Sequence, residues 1–372
     1  MKLQAEKQSF WSTFKKAYLK SRNLKSFWNK LEKTNLSEEL IKTFNLYLNS
    51  ESYNWSAKHW RNNIINHLSL MSNSTNKNSG WIISKEYFYI DHFDDSIIDG
   101  LCREVHNKKI NLNVNLYKKQ NNLSLTQSIH YNLVLLLLYE SIKSRDVFKY
   151  LNKLVELEPN STVKKPSLLI EGKEIVQDDI NSLFEFEQIE KLLNNIQVRK
   201  NNILEIGAGS GRTAKAILSI LNNTKYVIAD IPPAINLCIN NLKKYFPDKN
   251  LATAFQVNNQ KDLNIALEKN DILFIFPHQL KLFEKNTFDI TLAIDCLHEM
   301  EKKIIKIYMS IFEDISTFLY FKIWEYSGLN YSFYEHHSAH SKVDYSIKDH
   351  WKEHLKVRCL YPSNYFQLGY EF

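Results

Sequence analysis

Glycine is scarce in this chain: 8 in 372 residues, alongside 7 prolines. The scarcity carries no function by itself, but it makes any clustering of glycine conspicuous. Cysteine is equally thin. The four residues Cys102, Cys238, Cys296 and Cys359 lie far apart with no Cys-x-x-Cys pair. That excludes a disulfide scaffold and points to a reduced, intracellular setting. Long apolar runs are missing too. The longest, Leu133 to Tyr139, is far shorter than a membrane span, and the N-terminus has no apolar signal region. A soluble cytoplasmic protein with no membrane span is expected. The net charge of +7 is spread out, without a lysine or arginine run, so a nucleic-acid footprint is absent while anionic substrates suit it.

What is present is a globular composition, 44% hydrophobic and 24% charged, in a chain long enough for two domains. Three of the eight glycines fall within five positions, in Ile203-Leu-Glu-Ile-Gly-Ala-Gly-Ser-Gly-Arg212. A buried strand, Ile203 to Ile206, runs into Gly207, Gly209 and Gly211, with Ala208 inside the turn. Ala214, Ile217, Leu218 and Leu221 then follow at helical spacing. Glycine permits a sharp turn and lets a ligand approach the backbone with no Cβ in the way. The spacing is Gly-x-Gly-x-Gly, and the last place of the dinucleotide fingerprint holds Arg212.

With Glu205 two residues before the first glycine, this stretch resembles motif I of class I S-adenosylmethionine (SAM) methyltransferases. The resemblance implies that Glu205, Gly207, Ala208, Gly209 and Gly211 bind SAM, the carboxylate of Glu205 suiting the ammonium end. Loop amides and the positive end of the following helix suit the carboxylate.

Residues 1–165 read as a mainly helical region. Phe10, Trp11, Phe14, Tyr18 and then Leu24, Phe27, Trp28, Leu31 fall at helical spacing, as do Ile64, Ile65, Leu68 and Leu70. A polar loop, Ser72 to Gly80, precedes short extended segments at Trp81 and Tyr87, and a buried helix is expected over Ile129 to Ile142. No chemistry-bearing motif appears here, so acceptor recognition or homodimer formation is the role left for it. A boundary is expected at residues 158–166.

Residues 166–372 alternate strand and helix as a Rossmann-like, doubly wound α/β sheet. A hairpin turning at Gly172 and a helix capped by Asp178 or Asp179 lead into the glycine motif. Strands are expected at Tyr226–Asp230, Ile272–Phe276, Phe288–Ile294 and Phe318–Ile323, with a closing antiparallel hairpin over Trp351–Phe372. Asp230, 19 residues beyond Gly211 and followed by Ile231, stands near where a carboxylate grips ribose hydroxyls.

Asp230-Ile-Pro-Pro-Ala and Cys296-Leu-His-Glu-Met300 are similar to elements of a bacterial family of sugar O-methyltransferases, over residues 166 to 325. The resemblance implies methyl transfer from SAM to a hydroxyl of a sugar nucleotide or glycan. It also implies His298 as the base, since histidines in Leu-His-Asp-like elements of small-molecule O-methyltransferases play that part. Asp295 and Glu299 flank His298. They are read as orienting it, binding the SAM ammonium (Asp295), or holding a divalent ion such as Mg²⁺, with Glu325 as a further member. His278 and Gln279 take the place where this fold usually sets an acid against adenine, so their imidazole and amide are read as adenine contacts. His336, His337 and His340 are read as loop histidines near substrate or water. His350-Trp-Lys-Glu-His354 matches a zinc-protease spelling, but it leads into a strand and is treated as coincidence.

Four alternatives stand beside this reading. A nucleic-acid methyltransferase would carry an Asn/Asp-Pro-Pro-aromatic element where Asp295-Cys-Leu-His298 stands. The glycine spacing disfavours an NAD-dependent oxidoreductase. A SAM-fold binding protein without turnover, or a methyltransferase of another small molecule, completes the set.

Overall fold

The computed structural model describes residues 24–72, 95–108, 110, 113–120, 123–160, 165–196, 200–328 and 335–372. The aromatic stripe from Phe10 to Tyr18, most of the polar loop beyond Ser72 and the extended segments at Trp81 and Tyr87 lie outside the described residues.

The N-terminal region is helical where described. Its helices are α1 (Leu24–Lys30), α2 (Glu38–Asn49), α3 (Ser52–Trp55), α4 (Lys58–Ser72), α5 (Asp95–Val105), α6 (Leu125–Ile142) and α7 (Leu151–Leu157). Helix α6 is apolar on nearly every side, from Val134 to Ile142, and is accordingly the buried helix of this half. Its start is set by Ser124, whose hydroxyl accepts from the Gln127 amide while the Gln127 side chain accepts from the Ser124 amide.

Strands β1 (Ser167–Ile170) and β2 (Lys173–Val176) form the expected hairpin, with Gly172 at φ 78°. Helix α8 (Gln177–Leu193) follows, but neither Asp178 nor Asp179 caps it. Val176 occupies the cap position without a side-chain bond, and the two carboxylates turn to buried lysines instead. Lys165 pairs with Asp178 at 3.1 Å, and Lys215 meets Asp179 at 2.5 Å.

The main sheet comprises β3 (Asn202–Ile206), β4 (Lys225–Ala229), β5 (Leu251–Ala252), β6 (Ile272–Ile275), β7 (Phe288–Ile294) and β8 (Ser316–Trp324). A small pair, β9 (Tyr326–Ser327) and β10 (His337–Ser338), sits beyond β8, and β11 (Lys352–Arg358) and β12 (Tyr365–Glu371) complete the main sheet. Its order is β11-β12-β8-β7-β3-β4-β6-β5. From β5 to β8 all neighbours are parallel; β12 is antiparallel to β8, and β11 to β12. The parallel strands are near-continuous apolar runs because both faces are covered. Order reverses between β3 and β7, which places the crevice for a ligand at the carboxyl ends of these two strands. The two-residue strand β5 at the edge has no counterpart in the pattern read from sequence.

On one face lie α8, α9 (Arg212–Ile220) and α10 (Ala234–Tyr245); on the other lie α11 (Gln260–Lys269) and α12 (Lys302–Ile315). The first face shares one hydrophobic cluster with the N-terminal helices: Phe44, Tyr47 and Leu135 belong to the same core as Ile203, Ile235 and Phe276. The boundary near residue 165 is therefore crossed by core packing and by Lys165, whose amine also pairs with Glu158 at 3.3 Å. Among the described residues, no helix is long and apolar enough to cross a membrane.

Candidate active site

The three glycines of the motif all adopt left-handed backbone: Gly207 at φ 69°, Gly209 at 58° and Gly211 at 82°. Two of them are also demanded by packing. A Cβ on Gly207 would stand 2.9 Å from the Cys296 Cβ, and one on Gly211 would stand 2.7 Å from the Cys238 Sγ. Gly209 differs. Nothing lies within 4 Å of its missing Cβ, so its left-handed turn opens toward free space. That is the cradle a ligand needs, and the helix α9 amides begin just beyond it.

Asp230 follows β4 directly, beside this loop. Its Oδ2 accepts from the Gly209 amide at 2.9 Å and its Oδ1 from the Ile231 amide at 2.7 Å, and burial pushes its carboxyl up to about 7. Each oxygen, accepting one hydrogen bond, has capacity for a second. Glu205 is buried instead of open to the cleft, accepting from the Tyr226 hydroxyl at 2.8 Å, and burial pushes it too to about 7. Glu205, expected at the ammonium end of SAM, thus lies in the buried layer at the end of β3. Ala208 is buried and Ile231 partly so.

A ring of four charges closes the floor between β7, β8, α8 and α9. Glu185 of α8 receives Arg212 through both oxygens, at 2.5 and 2.9 Å. It also receives the Lys322 amine at 3.0 Å. Asp295, past the end of β7, accepts from Arg212 at 3.1 Å and from Lys322 at 3.3 Å. Asp295 holds a left-handed φ of 57°, a conformation that costs energy for a residue with a Cβ and concentrates at functional sites. Burial would lower the Arg212 guanidinium, but Glu185 and Asp295 hold it well above its ordinary value. Sequence reading missed Glu185 and Lys322 and gave Arg212 no role. A signal existed: both lie inside otherwise apolar runs, Leu183-Phe-Glu-Phe186 and Phe318-Leu-Tyr-Phe-Lys-Ile323, where an unpaired charge would be costly.

His298 stands past β7 as expected, but the structure encloses it. It is 1% exposed, its ring stacks on Trp324 at 4.6 Å, and Tyr365 meets it edge-on at 5.8 Å. Its ring is therefore covered by the aromatic side chains of β8 and β12. Glu299 accepts from the Trp60 indole at 2.5 Å, which ties the loop after β7 to the N-terminal helices. Glu325 is taken by Arg358 through both oxygens, at 2.7 Å each, and by His340 at 3.1 Å.

The metal expectation is corrected on the donor set. Among the described residues no three His, Cys, Asp or Glu side chains are grouped to hold an ion, and Asp295 faces two cations. Gln279, read as an adenine contact, is buried. Its amide accepts from the Phe276 backbone and donates to Ala254 and Val257, so all its polar atoms serve the chain itself. His278 meets the Ser52 hydroxyl at 2.8 Å through Nδ1, and burial lowers its basicity. His337 is buried against Ser327, whereas His336 and His340 are exposed. His354 lies in strand β11 against Glu371 and His350 pairs with Glu313, so the zinc-protease spelling holds no metal geometry.

Helices α2 to α4 cover this carboxyl edge. Asn236 reaches Thr43 at 3.1 Å, Lys281 reaches Glu51 at 2.9 Å, and the Lys58 amide reaches Glu301 at 3.3 Å.

Strand order, the antiparallel β12 and the glycine turn after β3 define the class: the fold is the Rossmann-like α/β sheet of the methyltransferases. No family model matches the chain, and no curated protein does. Solved structures resemble it at low identity. The pyocyanin biosynthetic protein PhzM is 15% identical over 52% of this chain and 55% of its own, with a TM-score of 0.35. The chain thus spans about half that protein's length. The N-methyltransferase NodS from Bradyrhizobium japonicum WM9, in complex with S-adenosyl-l-homocysteine, is 14% identical over 59% of this chain and 98% of its own, with a TM-score of 0.35. An O-methyltransferase family protein from Burkholderia thailandensis is 12% identical over 52% and 57%, with a TM-score of 0.34. At these scores the likenesses bear on no residue of the site.

Proposed function

We propose that this chain is a SAM-dependent methyltransferase that methylates a hydroxyl of a sugar nucleotide or glycan. The observation that carries the cofactor half is Gly209: a left-handed glycine facing open space, its amide held by Asp230, between two glycines that packing demands. SAM supplies an electrophilic methyl group on a sulfonium. The loop amides and α9 suit its carboxylate, and Asp230 offers its free lone pairs to the ribose. In this reading Ile231, next to Asp230, supplies apolar contact at the adenine side, and His278 a further contact.

Displacement at the sulfonium asks the protein chiefly for alignment, and a poor hydroxyl nucleophile gains from a base within reach. His298 is that base in this reading, exposed to the acceptor once Trp324 swings aside. The sugar half is supported by the two sequence elements at Asp230 and His298. It is also supported by the surface beyond β8, where the exposed Tyr326 ring stands beside His340 as a stacking face.

The test is calorimetric titration with SAM and with NAD, followed by a labelled-methyl screen over sugar nucleotides and glycans. Tight NAD binding without SAM binding would overturn the cofactor half, and transfer only to non-sugar acceptors would overturn the sugar half. One observation favours a second reading, a SAM-binding protein without turnover: the enclosure of His298. SAM binding with no labelled product over the whole screen would select it.

A further inference from the structure

The ring of Arg212, Glu185, Lys322 and Asp295 alternates in sign all the way round. Its members are unequally covered. Glu185 and Lys322 have side chains 3% and 2% exposed, whereas those of Arg212 and Asp295 are 16% and 17% exposed. The ring therefore presents one oppositely charged pair outward, beside the glycine loop, and buries the other behind it. The outward pair touches through a single contact of 3.1 Å, while Arg212 holds Glu185 through two shorter bonds. The side of the ring that faces the crevice is thus held by one bond where the Arg212–Glu185 side has two.

We infer that Arg212 and Asp295 form a receptor for an α-amino-acid zwitterion, and that the two residues stand in for that ligand by pairing with each other. Resting on the cofactor reading above, the ligand is the amino-acid end of SAM: its carboxylate goes to Arg212 and its ammonium to Asp295. Inserting a zwitterion between them turns a four-membered ring of alternating charge into a six-membered one. The order becomes Arg212, ligand carboxylate, ligand ammonium, Asp295, Lys322, Glu185. Arg212 keeps Glu185, Asp295 keeps Lys322, and the added ligand end is neutral in sum. No buried charge loses its counter-charge, which is the condition under which exchange inside a poorly solvated site is affordable. A ligand end with only one of the two charges breaks the alternation and leaves one member without its complement.

The left-handed turn at Asp295 fits this role. It bends the chain after β7 so that the carboxylate points back across the floor to α9 instead of out along the strand, and the strain is held by two cations. Lys322 and Glu185 act here as positioning residues, keeping each outward charge in place when its neighbour is exchanged.

The test uses the full chain and two ligands, S-adenosylhomocysteine and 5′-methylthioadenosine, which share the adenosine and thioether but differ in the amino-acid end. Arg212→Met is expected to weaken S-adenosylhomocysteine by about 30- to 1,000-fold, the cost of leaving one partner of a buried charge pair alone. Its affinity for 5′-methylthioadenosine stays within about threefold of wild type, because that ligand never meets the ring. Asp295→Asn, nearly the same shape, shows the same selective loss and serves if Arg212→Met does not fold. Equal loss of both ligands, or no loss of either, overturns the receptor. A wild-type chain that binds neither ligand overturns the cofactor reading itself, and the receptor with it.

Discussion

The Oδ2 atom of Asp230 accepts the amide hydrogen of Gly209, joining the end of the second parallel strand to the middle of the turn after the first. The residue read as a ribose contact is thus also a brace for the loop. Asp230→Ala is expected to weaken SAM binding by about 1–3 kcal/mol, since two buried amides lose their acceptor. Calorimetry on folded variant and wild type decides it, and equal affinities would move the ribose contact elsewhere.

Gly209→Val fills the open space over the turn with a branched side chain at a left-handed φ. Such a residue there costs about 1–2 kcal/mol, small beside the loss of the cradle. SAM binding should vanish while the circular dichroism spectrum and a cooperative melt persist. A variant that binds SAM as wild type does would place the cofactor away from this loop.

Glu205 gives a pH dependence of known sign. Burial lifts its folded value from the ordinary 4.5 to about 7, so its stabilising contribution is full below pH 4.5 and is lost as pH rises to 7. Glu205→Gln keeps an acceptor for the Tyr226 hydroxyl and removes the titration. The ligand-free variant should match wild type near pH 4.5 and exceed it by up to about 3 kcal/mol above pH 7. Denaturant melts at both pH values measure this; a difference that does not grow with pH defeats it.

For His298 the expected outcome is kinetic. His298→Ala should lower single-turnover rate by roughly 10²–10⁴-fold while SAM affinity stays unchanged. Full rate in the variant would leave His298 as a packed ring against Trp324 and hand the proton to another group.

A chain starting at Pro166 should fail to fold cooperatively. It would expose the core that Phe44, Tyr47 and Leu135 share with Ile203 and Ile235, and it would strip Lys215 of Glu158. A truncated chain with a sharp melt and wild-type SAM affinity would show that the helical half is dispensable for the cofactor.

These outcomes also mark what was legible beforehand. The glycine spacing, the acid after β4 and the closing hairpin are local patterns, written in consecutive residues, and the structure follows them closely. The partners of the Gln279 amide are not legible in the sequence, because Ala254 and Val257 come from a turn that no periodicity announces. The charge ring was out of reach for a different reason. Glu185 and Lys322 are 137 positions apart, and only the winding of the sheet brings them within 3.0 Å. Lys322 inside an apolar strand announced that a counter-charge must exist, but not which one.

The sheet ends unevenly. Its β5 border is two residues long, while its β11 border presents Lys352, Glu353, Lys356 and Arg358 to solvent. Neither rim offers a long, uncharged row of free amides and carbonyls on which a second chain could be laid as a further strand.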